Sequence, residues 1–219
     1  IYDLHLGGNL FDRIATKQVY TENEARNVCK ILLGVLHHLD LKGVVHRDLK
    51  PDNILMMGKV SDTNIKLAGF SFARTVAPDE YLKTQCGTPE FVSPEILYGL
   101  PYRAKVDMWS LGVILYILLA GYPPFMSQNK RDLFRKIKSG SVSFPDNYWD
   151  KISTEARMSW TPITRYTYKR NNQKQETTEQ NISITNENNT ENKHIIWCIQ
   201  SRIDLPYIII KEQEQKNRH

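Results

Sequence analysis

The sequence predicts a mainly α domain of the α+β kind, a helical core carrying one small β-hairpin. Three observations predict it. Apolar residues recur at helical spacing from Ala25 to Leu39, the run Val113 to Ala120 is apolar nearly all round, and two short β-prone runs flank a turn-rich stretch at 58–63. A chain of 219 residues with 41% apolar and 24% charged residues has the composition of a soluble globular protein.

The elements follow in order. Thr21-Glu22-Asn23-Glu24 is a capping box, with Thr21 accepting from the backbone near Glu24 and Glu24 reaching back. The helix it opens carries Ala25, Val28, Leu32, Val35, Leu36 and Leu39 on one face and stops at Gly43. Val44 and Val45 lead into a polar loop, His46 to Asn53. Ile54 to Met57 and Asn64 to Ala68 are expected to pair as a hairpin about the turn Gly58 to Thr63. Asp107 to Ala120 reads as a buried central helix, and Arg131 to Ser139, closed by Gly140, as a surface helix turning Leu133, Phe134 and Ile137 inward. Composition changes near residue 158. Between Asn171 and Lys193 only Ile182 and Ile184 are apolar, so this stretch is expected to stay disordered.

Bulk chemistry narrows the function. No apolar run approaches bilayer length, and no charged n-region precedes an apolar stretch, so neither a membrane partner nor a secretory signal is expected. Three widely spaced cysteines, Cys29, Cys86 and Cys198, argue for a reducing, cytoplasmic setting and against a disulfide framework or zinc site. The net charge of +5 comes from Lys and Arg interspersed with acids, which gives little case for nucleic-acid binding.

The most informative stretch is VVHRDLKPDNIL, Val44 to Leu55. One short loop carries a carboxylate (Asp48), an ammonium two residues on (Lys50) and an amide (Asn53). That set suits phosphoryl transfer: the acid accepts the proton of an attacking hydroxyl, the ammonium neutralises the moving group, and the amide oxygen holds Mg²⁺. A lone His-Arg-Asp would be an ordinary charged turn. The full string H-R-D-L-K-P-x-N between apolar strands is far more specific.

With GGNLFDRI, CGTPEFVSPEIL and PYRAKVDMWSLGVILYILLAGYPPF in the same order, the chain resembles the C-terminal lobe of a eukaryotic Ser/Thr protein kinase, closest to the calcium/calmodulin-dependent group. The resemblance covers 1–158 and begins at the family's hinge, so the N-terminal lobe is read as absent. Residues 159–219 are read as an atypical polar tail, and the break near 158 as the mark of a truncated or mis-spliced gene model.

The resemblance implies ATP and Mg²⁺ as cofactors and a protein or peptide substrate. It makes Tyr2 the gatekeeper, gives the adenine the backbone of Asp3 and His5, and places Leu55 beneath the base. Asn9 stands where the group has a ribose-contacting Glu. Thr88 would support Asp48 and Lys50, Asp107 would brace the loop from the central helix, and Glu95 would pair with an Arg. The candidate for that Arg is Arg165 in Thr161-Pro162-Ile163-Thr164-Arg165, unless that match is coincidence. Thr84 is either an activating phosphothreonine, pairing with Arg47, or an unmodified loop residue. Asp52 and Glu90 imply basic residues around the phosphoacceptor. No basic amphipathic helix follows the lobe, so calmodulin binding is not expected.

One departure matters most. Gly69-Phe70-Ser71 stands where the family has Asp-Phe-Gly, so the main Mg²⁺ ligand is missing, and Ser71 is expected to restrict a backbone position read as needing positive φ. Two functions stay open. One is an ATP- and Mg²⁺-dependent Ser/Thr kinase with Asp48 as base; the other is a pseudokinase or non-catalytic binding scaffold. Restoring Gly69→Asp, with an N-terminal lobe supplied, is expected to rescue transfer if that site is the main defect.

Overall fold

The structure, a computed structural model, describes residues 7–157. The hinge positions Tyr2, Asp3 and His5, the stretch 171–193, the polar tail and Arg165 lie outside the described residues.

Six helices and two two-stranded sheets lie wholly within the described residues, and a further helical turn stands at their end. Helix α1 (Leu10–Lys17) starts on Asn9, whose Oδ1 accepts from the Asp12 N–H at 2.9 Å, and it buries Leu10 and Ile14. Helix α2 (Glu22–Leu41) starts on the expected capping box: the Thr21 N–H donates to Glu24 at 2.9 Å and the Glu24 N–H donates back to Thr21 Oγ1 at 3.3 Å. Its buried face is the expected one, with Cys29 added, and the chain leaves it through Gly43 at φ +66°.

Strand β1 (Val44–Val45) pairs antiparallel with β4 (Arg74–Thr75), while β2 (Ile54–Met56) and β3 (Ile65–Leu67) form the hairpin, with Ile54 opposite Leu67. Alternation along β2 buries Ile54 and Met56 and leaves Leu55 half-exposed on the other face. Arg13 clamps the hairpin turn, donating to Gly58 O and pairing with Asp62, both at 2.8 Å.

Helix α3 (Pro94–Leu97) is one short turn. Helix α4 (Lys105–Ala120) buries every residue except Lys105 and Met108, because it has no polar face to give to water. It lies against α2, and the two supply most of the main core. Near its start Trp109 stacks on Phe125, and further along Tyr116 meets the fully buried Trp149 of α6 (Asp146–Trp149) at 4.8 Å. A smaller cluster, Val45, Val76, Val92, Ile96, Tyr102 and Val106, fills the space under the segment that follows β4. Helix α5 (Lys130–Ser139) is capped by Asn129 and closed by Gly140 at φ +62°; Leu133 and Ile137 are buried and Phe134 half-buried. The chain re-enters a helical turn at 154–157, tied to α2 where Ser153 donates to Glu22 from N–H and Oγ–H at 2.6 and 2.8 Å.

One expectation is corrected. Ser71 lies in a 3₁₀ turn, Phe70–Phe72, and is not among the positive-φ residues; Gly69, just before it, is the one held at φ +79°, ψ +36°. The position that needs freedom is therefore occupied by glycine, and Ser71 costs the backbone nothing special there.

Candidate active site

The loop His46–Asn53 is held from below by α4. Asp107, in the first turn of that helix and wholly buried, accepts from the His46 N–H on Oδ2 and from the Arg47 N–H on Oδ1, both at 2.8 Å. Arg47 sits at φ +68°, a conformation that costs a non-glycine residue about 1–2 kcal/mol, and these charge-assisted bonds offset that cost. Burial pushes the Asp107 carboxyl up to about 6, against the two N–H bonds and the nearby Arg47, which pull it down.

His46 completes the loop. Its Nε2 lies 2.9 Å from Ala68 O, which only an N–H can serve, so Nδ1 is left to accept from the Asp48 N–H at 3.3 Å. Burial lowers its pKa and keeps this neutral tautomer. Phe70 packs edge-on against the ring at 4.7 Å.

Around Asp48 the expected residues come together. Oδ1 accepts from the Thr88 N–H at 3.0 Å and from its Oγ–H at 2.7 Å. Lys50 Nζ donates to Thr88 Oγ1 at 2.9 Å and lies 3.7 Å from Asp48 Oδ2. Asn53 Nδ2 donates to Asp48 O at 2.7 Å and to Oδ2 at 3.2 Å. Thr88 thus fixes one carboxylate oxygen, and the other is left beside an ammonium and an amide.

The remaining candidates are placed as follows. Asn9 spends its side chain capping α1, and its backbone bridges Leu55. Arg47 donates to Phe72 O at 2.7 Å and to Tyr102 Oη at 3.3 Å, while Tyr102 donates to Thr84 O at 2.5 Å. Arg47 and Thr84 are therefore joined through Tyr102, and the Thr84 side chain is exposed. Sequence reasoning did not single out Tyr102, although it stands in the PYRAKVD string. Glu95 is buried; among the described residues its Oε2 has no partner, and burial raises its pKa.

Gly69 gives the least expected geometry. A Cβ on it would fall 2.5 Å from Asn53 Nδ2 and closer still to Asn53 Cγ and Oδ1. The amide of Asn53 occupies the room that a side chain at 69 would need. Among the described residues no group of three His, Cys, Asp or Glu could hold a metal ion. With no side-chain oxygen at 69, Asn53 Oδ1 would have to hold a divalent cation without the second ligand that position supplies, its Nδ2 being committed to Asp48, so the residues present fit such a cation poorly.

The sequence profile of the protein kinase domain matches residues 1–196. A probable myosin light chain kinase of Dictyostelium discoideum is 42% identical over 180 residues, covering 77% of this chain and 57% of that protein. Calcium/calmodulin-dependent protein kinase type 1 of Macrobrachium nipponense and that of Caenorhabditis elegans are each 43% identical over 157 residues, covering 72% of this chain and 45% of theirs. The chain spans about half the length of these relatives. The loop His46–Asn53 braced by Asp107, with Asp48 clamped by Thr88, accords with those matches: the chain belongs to the protein kinase family, and the relatives it matches are kinases of the calcium/calmodulin-dependent group.

Proposed function

We propose that this chain is the C-terminal lobe of a Ser/Thr kinase that keeps the hydroxyl-binding half of phosphoryl transfer, has lost the metal-holding half, and works as a binding unit. The observation that carries the proposal is the Asn53 amide standing where a side chain at 69 would be. Protein kinases use ATP and Mg²⁺. Here Asp48 Oδ2, which among the described residues takes only the 3.2 Å bond from Asn53, keeps a lone pair for a substrate Ser or Thr hydroxyl, with Lys50 beside it to attract a negative group. Thr88 keeps both in register. Exposed Asp52 and half-buried Glu90 favour a basic segment around that hydroxyl.

A second reading, an active Ser/Thr phosphotransferase, is favoured by the same Asp48–Lys50–Thr88 network. By analogy with deletion of a single transition-state group, the missing ligand costs it roughly 3–4 kcal/mol, or about 10²–10³ in rate. The two readings part in a thermal-shift titration with ATP, with and without Mg²⁺, run beside transfer of labelled γ-phosphate to a basic Ser-containing peptide. The binding unit shows no metal-dependent stabilisation and no transfer. Metal-dependent stabilisation together with transfer overturns it in favour of the second reading.

A further inference from the structure

The positive charge of this chain is not spread evenly. Helix α5 holds five basic residues and one acid, in a chain whose net charge is +5. Its outer face and Tyr98, the residue that ends α3, line a shallow cavity of about 710 Å³. Two aromatic rings, Tyr98 and Phe134, form the apolar part, and Lys130, Arg131, Arg135 and Lys138 surround it.

The single carboxylate of α5 is already spent. Asp132 pairs with Arg135 at 2.5 Å and accepts from Asn129 Nδ2 at 2.6 Å. Among the described residues, Lys130, Arg131 and Lys138 have no carboxylate partner. Lys130 instead lies over the Phe134 ring at 5.4 Å, and Lys138 over the Tyr98 ring at 4.8 Å. The Tyr98 hydroxyl donates to Lys138 O at 3.4 Å, so the two sides of the cavity are joined.

We infer that this face of α5 is a docking surface for an acidic peptide segment of a partner protein, its carboxylates meeting Lys130, Arg131 and Lys138 and an apolar side chain entering between Tyr98 and Phe134. Charge complementarity selects the sign of the occupant. The rings select its kind: each already has an ammonium over one face, so they are poorly placed to stack on nucleotide bases, whereas an aliphatic side chain needs only the apolar floor. Helix α5 presents no fully exposed apolar side chain for lipid insertion. This surface is separate from the Asp48 loop, and its use does not depend on phosphate transfer.

The test uses the full chain without nucleotide and a fluorescein-labelled Glu-rich peptide with one central Leu, read by fluorescence anisotropy. The unmodified chain should bind it, and should lose affinity between about 0.15 M and 1 M salt, as the screening length falls from ~8 Å to ~3 Å. The triple variant Lys130→Glu, Arg131→Glu, Lys138→Glu should weaken binding by roughly tenfold or more, because like charges then face each other. Arg131→Glu alone, at an exposed position, should weaken it in the same direction, and Lys59→Glu, in the hairpin turn, should leave it unchanged. Absence of salt-sensitive binding, or equal loss in Lys59→Glu, overturns the inference. Tighter binding to phosphatidylserine vesicles or to a ribo-oligonucleotide than to the peptide also overturns it.

Discussion

Placing a methyl group on Gly69 tests the geometry of the site directly. In Gly69→Ala the new Cβ must adopt φ +79°, which costs an L-residue roughly 1–2 kcal/mol. The same Cβ would overlap the Asn53 amide, so Asn53 must turn away and give up its bonds to Asp48 O and Oδ2. Those bonds are worth about 1–2 kcal/mol together. The expected total is about 3 kcal/mol, or a melting temperature lower by roughly 6–12 °C for a chain of this size. Urea denaturation of the unmodified chain, Gly69→Ala, Asn53→Ala and the double variant apportions the cost. In the Asn53→Ala background there is no amide to displace, so the glycine substitution should cost only its backbone part, and the cycle should return a coupling of about 1–2 kcal/mol. A Gly69→Ala cost below about 0.5 kcal/mol, or a cost equal in both backgrounds, refutes the interlock. The same reasoning applies to Gly69→Asp: the restored carboxylate enters an occupied space, so on its own it should destabilise the chain before it can hold a metal.

Two further predictions concern the loop. Thr88→Val keeps the shape of the side chain and removes the hydroxyl that links Asp48 to Lys50. It should cost about 1–3 kcal/mol in urea denaturation, and a neutral result would mean that the Thr88 N–H alone suffices to hold Asp48. For Asp107 the folded pKa of about 6 lies above the ordinary 3.8, so the folded state holds the extra proton between these values. The stability linked to it is present below about pH 4 and is lost as pH rises through about 6. Measured as the difference between the unmodified chain and Asp107→Asn, unfolding free energy should fall across that window, and a flat or rising difference refutes the assignment.

Much of this arrangement was legible because its causes are local. The α2 capping box, the face of α2 and the Gly140 stop on α5 each need only neighbouring residues, and each formed as the spacing predicts. The β1–β4 pair was not legible: two residues on each side carry no pattern, and the partner arrives through the chain after Gly69. Helix α1 was missed for another reason. The resemblance draws attention to Asn9 as a ribose-side position and says nothing of its side chain as the N-cap that starts the helix. The roles of Thr88 and Asp107 could be expected only through the motif, since no spacing in the sequence brings a residue of α4 under the loop at His46.

Gly69 shows where the two kinds of reasoning part. From the sequence, a glycine in place of a carboxylate is a subtraction, and a subtraction is reversed by putting the group back. The structure makes it a substitution of one occupant for another. Closely packed interiors do not leave room of this kind empty, and the nearest polar side chain with a partner to reach is the Asn53 amide, which bonds Asp48 across it. Asn53 thereby donates to Asp48 Oδ2, the oxygen that the proposed reading gives to a substrate hydroxyl. On the proposed reading, the missing carboxylate at 69 and the amide bonded to Asp48 are two sides of one packing arrangement. Gly69→Asp should therefore show metal-dependent stabilisation only where Asn53 can turn aside, and such stabilisation with the Asp48–Asn53 bonds intact would refute the interlock.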